Sequence, residues 1–278
     1  VAGSTFTMSS TASIIGNTAT QYGGGVCIEI SGSKFEMSSG IITKNTATDG
    51  GGVFVASGTF NVSGTPVISG NTKNGAANNV DLAEGKCITV INALQSGADI
   101  GIINPLSEGK QFGTVSYSSP AETIADYFHA DSTTPLLAAV LNESKLEWAQ
   151  GFTVTFNMNG HGFEIPSVTV ANGGKVTKPT DPTADGYTIN GWYKETACTN
   201  EWNFETDTVT QDTTLYAKWT ANQYTVTLNA TGGTGGTATV TATYDAPMPS
   251  AAMPTKTGYT FAGYFDAESG GTKYYNAD

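Results

Sequence analysis

Short apolar pieces separated by Gly, Asn, Ser and Thr recur in a fixed order from the start of the sequence to near Gly85. Three lines align. One runs from "STFTMSS" through "SIIGNTAT" to "GGGVCI". The second runs from "SKFEMSS" through "GIITKNTAT" to "GGGVFV". The third runs from "GTFNVSG" through "PVISGNTK" to "ANNVDL". Phe6, Phe35 and Phe60 head the lines, and Asn17, Asn45 and Asn71 follow the middle apolar pair. Val26, Val53 and Val80 are evenly spaced. Pieces this short, alternating in and out and punctuated by turn residues, read as strands. A repeat on this scale signals a solenoid. Three strands per line make one coil of a parallel β-helix, with equivalent residues ~4.8 Å apart on adjacent coils. The Phe column is expected inside. The Asn column is expected to stack as a ladder of side-chain amides that satisfies backbone groups at a bend.

The glycine runs raise the question of a phosphate site. A P-loop needs GK[ST] and a helix after the glycines, but Val and a strand pattern follow here. In the third line "ANNV" (Ala77–Val80) replaces "GGGV". Asn tolerates positive φ best after Gly, so the swap predicts corners with positive φ and a Val entering the core.

After residue 85 the regularity fades. "KCITVINAL" and "ADIGIINPL" still read as strands. "SSPAETIADYF" carries a helix start, with Ser119 as N-cap, Pro120 in the first turn and Glu122 three after the cap. "AAVLNESKLEWAQ" reads as a hairpin turning at "NES", with a helix as the alternative. The first domain is expected to span residues 1–150.

From residue 151 the pattern changes. "FTVTFNMNG" and "PSVTVANGGKV" are strand-and-turn pieces, "KPTDPTADGY" is extended, and "INGWYKE", "EWNF" and "TTLYAKW" follow as short strands. A looser copy begins at "YTVTLNATGG", where Tyr224 takes the place of Phe152. At the same offset Gly186-Tyr187 recurs as Gly258-Tyr259, and Gly191-Trp192-Tyr193 becomes Gly263-Tyr264-Phe265. No "LYAKW" equivalent follows in the second copy, which is expected to be incomplete.

The "SGNTA"-like stretches followed by "GGGV", over residues 3–85, resemble glycine-rich β-helix repeats of large bacterial surface proteins, including polymorphic-outer-membrane-type adhesins. The "GY…GWY…W.F…LYAKW" order resembles the Listeria–Bacteroides repeat, also called the internalin B-repeat, over residues 151–220 and more loosely over 221–278. Ile189 stands where that family usually has Phe, and His161 where a second Gly is common. The resemblance implies β-grasp-like modules strung in tandem on secreted or wall-attached bacterial proteins. The expected fold is therefore mainly β: an N-terminal right-handed parallel β-helix followed by small β-grasp-like α+β repeat modules at 151–220 and 221–278.

Composition narrows the function. Charged residues are 13% of the chain, about half the usual ~25%. All 12 basic residues are Lys, and the net charge is −12. Such a surface repels phosphate backbones, so neither nucleic acid nor an anionic membrane is an expected partner. No apolar run is long enough to offer a span, so no membrane insertion is expected in this segment. No signal peptide opens the sequence, which reads as a segment of something longer. Cys27, Cys87 and Cys198 are far apart, odd in number and without metal spacing, which favours free thiols.

β-Helices often carry polysaccharide lyases and hydrolases, but the chemistry those need is not marked here. A lyase would use a basic residue, often Arg, with Ca²⁺ held by several carboxylates. The chain has no Arg, and Glu29, Glu36, Asp49, Asp81, Glu84 and Asp99 are the only acids before Ile100. Hydrolases need two opposed carboxylates, and nothing pairs Glu29 with Glu36. His129 and His161 are the only histidines, and neither lies beside a recognisable nucleophile. Trp192, Tyr193, Trp202, Phe204, Tyr216 and Trp219 are either a carbohydrate platform or a core. Trp192 aligns with Tyr264, which keeps the bulk that a core in so small a module requires. No catalytic, cofactor or metal residues are therefore assigned. The expected role is adhesion at the bacterial cell surface to glycans or proteins, with the repeats as spacers. A polysaccharide-degrading enzyme is one rival. A stalk that self-associates through unpaired coil edges is the other.

Overall fold

The computed structural model describes residues 3–118 and 122–275. The first part of the chain is a β-solenoid of about four turns, built on three columns of parallel strands. The first column comprises Thr5–Met8, the leading halves of Lys34–Thr43 and Thr59–Ile68, then Ile88–Leu94 and Gln111–Val115. Within it Phe6 faces Phe35, Phe35 faces Phe60, Phe60 faces Ile88, and Ile88 faces Gly113. The Phe rings stack with centroids 5.2 and 5.0 Å apart and planes within 10°. In the second column Ile14, Ile42, Ile68, Ile100 and Phe128 follow one another. In the third, Val26, Val53, Val80 and Ile102 do. β-Branched and aromatic residues suit these extended positions, and their alternation turns every second side chain inward. Phe35, Phe60, Ile42, Ile68, Val53 and Val80 are buried, forming one core between the three columns.

Two details differ from the sequence expectation. The first and second pieces of coils two and three are continuous ten-residue strands rather than separate short ones. Coil three carries one extra residue there: Met37 faces Val62, but Ser39 faces Thr65. Gly64, at φ +64°, absorbs it. The parallel stacking also continues well past residue 85, where no repeated motif announces it, through Asp99–Asn104 to Phe128–Ala130.

Reversal of strand direction ends the stack. Gln111–Val115 pairs antiparallel with Lys145–Asn157, and Phe128–Ala130 pairs antiparallel with Leu137–Asn142. Leu137–Asn142 and the start of Lys145–Asn157 form the expected hairpin, with Glu143 at φ +55° in its turn. Trp148 is buried under this cap and stacks on Phe112 at 4.4 Å. The helix expected near residue 122 is a six-residue 3₁₀ segment, Glu122–Tyr127, which buries Ile124. Its proposed cap, Ser119 and Pro120, lies outside the described residues.

The chain divides into two compact units. The first runs to Val154 and takes in Ser167–Thr177 and Phe204–Thr213. The second comprises Thr155–Pro166, Lys178–Asn203 and everything from Thr214 onward. In the second unit Tyr187–Tyr193 pairs antiparallel with Thr213–Ala221, setting Ile189 opposite Trp219 and Trp192 opposite Ala217. Gln223–Thr227 and Thr239–Thr243 form a hairpin. Trp192, Trp202, Leu215 and Phe156 make its core, with Phe156 edge-on to Trp192 at 5.1 Å. No helix occurs among its described residues.

Candidate functional site: the asparagine ladder and its acidic terminus

The Asn column lies where the chain leaves the second face of the solenoid. Asn17 N and Nδ2 both donate to Asn45 Oδ1, at 2.9 and 3.0 Å. Asn45 N and Nδ2 donate to Asn71 Oδ1, at 3.1 and 2.9 Å. Asn71 N and Nδ2 donate to Asn79 Oδ1, both at 2.9 Å. Nδ2 of Asn45 also caps Ile14 O, and Nδ2 of Asn71 caps Ile42 O, each across a coil boundary. Asn45 and Asn71 are fully buried, so each amide meets the obligation of a buried polar group.

The glycines beside the ladder serve close approach. A Cβ at Gly25 would lie 2.6 Å from Gly52 O, and one at Gly52 would lie 2.7 Å from Asn79 O and 2.8 Å from Asn71 Nδ2. Of each run only the first glycine has positive φ: Gly23 at +56° and Gly50 at +59°. Asn78 and Asn79 do not have it, which corrects the expectation for "ANNV". The physical reason is that the Cβ direction at this corner points toward the following coil. After Asn79 no coil of the same form follows, so its side chain has room, while that of Asn78 turns back to Ala47, Thr48 and Gly50 of the preceding coil. Each side chain takes over an acceptor place that another group fills in the earlier coils. Asn79 Oδ1 fills the acceptor place of the next ladder Asn. Asn78 Oδ1 accepts from Gly50 N at 3.1 Å, where the coil above uses the Asp49 carbonyl to receive Gly23 N.

The ladder ends on a carboxylate. Asn79 N and Nδ2 donate to Asp131 Oδ2 and Oδ1, at 2.6 and 2.7 Å. Gly101 opens the space: a Cβ there would overlap Asp131 and Asn79. The Asp131 side chain is 1% exposed and lies 3.7 Å from His129 Nε2, while His129 Nδ1 lies 3.0 Å from Asp99 Oδ1. Burial pushes the Asp131 carboxyl above the usual carboxylate range, against the downward pull of its Asn79 bonds. The hydrogen bond to His129 holds Asp99 below that range. Asp99 in turn raises His129 above an ordinary histidine, outweighing burial. The imidazole is thus bracketed by two carboxylates, which suits an imidazolium clamp rather than a base that activates a nucleophile. In the sequence Asp99 is one of several scattered acids and His129 has no recognisable nucleophile beside it; the structure joins the two. They sit on different coils, and their separation along the chain carried no spacing signal.

Of the other acids before Ile100, Asp81 feels the charges of both Asp49 and Lys73. Glu36 meets Lys34 at 3.3 Å, and Asp49 meets Lys73 at 3.7 Å. Among the described residues no three His, Cys, Asp or Glu side chains gather to hold a metal. Cys27, Cys87 and Cys198 are free. Burial, then Glu29, pushes the Cys27 thiol up to about 11, far from a reactive thiolate. His161 rests against the Tyr187 ring at 3.9 Å. Of the six aromatics weighed as a platform, Trp192 and Trp202 are buried and the other four half-buried, as a core requires. The outward row of the first column is polar: Thr7, Glu36, Asn61, Thr89 and Thr114 stand in register. No helix among the described residues is long and apolar enough to cross a membrane.

Comparison with known proteins agrees with the second half of this picture. Residues 152–218 and 224–278 match the Listeria–Bacteroides repeat domain. Internalin H of Listeria monocytogenes is 39% identical over 126 residues, covering 45% of this chain and 22% of its own length. A protein of Evansella cellulosilytica provisionally described as a membrane protein is 38% identical over 117 residues, 42% of this chain and 17% of its own. A provisionally described Gly-rich membrane protein of the same organism is 35% identical over 114 residues, 41% of this chain and 13% of its own. The chain thus spans under a quarter of the length of these relatives.

Proposed function

We propose, since residues 152–218 and 224–278 are Listeria–Bacteroides repeats, that this chain is a non-enzymatic, surface-displayed adhesion segment. The solenoid is the contact element and the repeats are spacers, read as β-grasp-like modules at 151–220 and 221–278 behind a right-handed β-helix and its cap at 1–150. The observation that carries the reading is the registered outer row Thr7–Glu36–Asn61–Thr89–Thr114. It repeats hydroxyl and amide groups at the ~4.8 Å strand spacing. Rows of neutral donors and acceptors with few charges suit glycans or polar protein surfaces. The similarity to Internalin H and to membrane-described proteins supports a secreted, cell-surface location. A glycan array and a pull-down from bacterial and host surfaces test it. Binding that weakens when Asn61 and Thr89 are replaced by Lys supports the reading. Absence of binding by the folded chain, or release of reducing ends from a polysaccharide, overturns it.

A further inference from the structure

The tripeptide Gly-Tyr-Thr occurs twice, at 186–188 and again at 258–260, in equivalent places of the two repeats. The first copy is gripped by the start of the repeat that follows it. Asn222 N donates to Gly186 O at 2.8 Å, and the Thr188 hydroxyl donates to Asn222 Oδ1 at 2.6 Å. The Tyr187 hydroxyl donates to Asp245 Oδ2 at 3.0 Å, and the Tyr244 ring stands edge-on to Tyr187 at 5.5 Å. A Cβ on Gly186 would overlap the Tyr244 ring, so glycine there is a requirement of the joint.

At the second copy the same three residues face solvent. Nothing lies within 4 Å of a Cβ placed on Gly258, and Tyr259 is 73% exposed, with only the Lys256 ammonium described over its ring, at 4.8 Å. Gripping and gripped groups are not interchangeable. The first-repeat counterparts of Asn222, Tyr244 and Asp245 are Gln150, Asn172 and Gly173. The backbone register is nonetheless kept, since Tyr244 N donates to Asn222 O as Asn172 N donates to Gln150 O. The first repeat therefore offers a seat and lacks the grip, whereas the second has both.

We infer that Gly258–Tyr259–Thr260 is a docking seat for a further repeat joined in the same polypeptide, whose opening hairpin carries an Asn and a Tyr-Asp pair at the positions of Asn222, Tyr244 and Asp245. This rests on the two seats alone and holds whether or not the solenoid binds glycans. Covalent succession identifies the occupant. The first seat is filled by the next repeat, whose strand Gln223–Thr227 follows directly on Thr213–Ala221, with Asn222 alone between them. Such a link gives a high effective concentration. A second molecule would have to free its own Tyr244 and Asp245 from Tyr187 first. The array then extends in one direction, each repeat fixing the orientation of the one before it.

Tyrosine nitration followed by peptide mass spectrometry tests this. In the natural chain Tyr259 should nitrate several-fold faster than Tyr187, and Tyr244→Ala should speed Tyr187 although His161 still covers its ring at 3.9 Å. In a chain lengthened after Asp278 by residues 207–220 and a second copy of 221–278, Tyr259 should slow several-fold. Gly258→Ala in that chain should restore the fast rate. Equal rates at Tyr187 and Tyr259 in the natural chain overturn the inference. So does a Tyr259 that stays fast in the lengthened chain while the added hairpin's amides resist hydrogen exchange.

Discussion

Replacing Asn71 with Ala tests whether the amide ladder, rather than the apolar columns alone, holds the coils in register. Asn71 is fully buried. Its side chain accepts from Asn45 N at 3.1 Å and Asn45 Nδ2 at 2.9 Å, and donates to Asn79 Oδ1 at 2.9 Å and Ile42 O at 2.8 Å. Ala removes these bonds and leaves buried groups on Asn45 and Ile42 without these partners. A net bond contributes about 1 kcal/mol and an orphaned buried group costs ~1–3 kcal/mol, so the loss should be roughly 3–5 kcal/mol. That is a large share of the ~5–15 kcal/mol typical of a whole domain. Asn17 makes the same kind of bond, to Asn45 at 3.0 Å, but is exposed. Water can replace what Asn17→Ala removes, so its cost should stay below about 1 kcal/mol. Asn71→Asp keeps the volume but turns a carboxylate on Ile42 O and Asn79 Oδ1. It should be at least as harmful as Ala at neutral pH and recover partly in acid. Urea unfolding followed by far-UV circular dichroism, with hydrogen exchange read over 34–43 and 59–68, gives the comparison. Equal losses for Asn17→Ala and Asn71→Ala would refute the ladder argument and leave hydrophobic stacking as the sole source of register.

Other outcomes follow from the same geometry. Gly52→Ala places a methyl against Asn71 Nδ2 and Asn79 O and should cost about 1–3 kcal/mol by overpacking; a thermal-shift series including Gly75→Ala, where a Cβ meets open space at φ +84°, separates crowding from backbone strain. Phe60→Ala should cost about 3–5 kcal/mol, while Phe6→Ala, at the 48% exposed end of the same stack, should cost far less by denaturant titration. The His129–Asp99 clamp gives a defined pH response. His129 is raised in the folded state, so its contribution is full below the ordinary value of 6.5 and is lost as pH rises through the higher folded value. Asp99 is lowered, so its contribution is present above 3.8 and is lost only as pH falls through its lower folded value. Melting temperature should therefore decline as pH rises above 6.5, and His129→Gln should flatten that decline; a profile identical in the variant would refute the clamp.

The first three coils were legible because stacking forces equivalence: Phe must lie on Phe and Asn on Asn. The same logic explains where legibility stops. Beyond Asn79 the columns continue with Ile88, Ile100 and Ile102, which fill the interior without any punctuation a reader could align. The exchange of Gly for Asn at 78 and 79 was visible, but its cause was misread as positive φ. Local preference allowed that reading. The true cause is the form of the next coil, which lies outside the local sequence. Asp131 was invisible as a ladder member since its partner, Asn79, lies far back along the chain. In the second half the aromatics were legible as core because a small module must bury its largest rings. Tyr244 was not legible as a joint because its counterpart in the first repeat is Asn172.

Each amide in the ladder donates in the same direction, from Asn17 toward Asp131. The stack is thus a row of aligned dipoles, and its positive pole is the end where Asn79 presents two N–H groups. As with anions at a helix N-terminus, negative charge is favoured at that pole. This accounts for the one carboxylate in the series standing where it does. An Asp at any earlier rung would have to donate as well as accept, whereas the last rung only accepts. The solenoid therefore carries an electrical sense as well as a geometric one, with an amide carbonyl at the Asn17 end of the ladder and a carboxyl group at the Asp131 end.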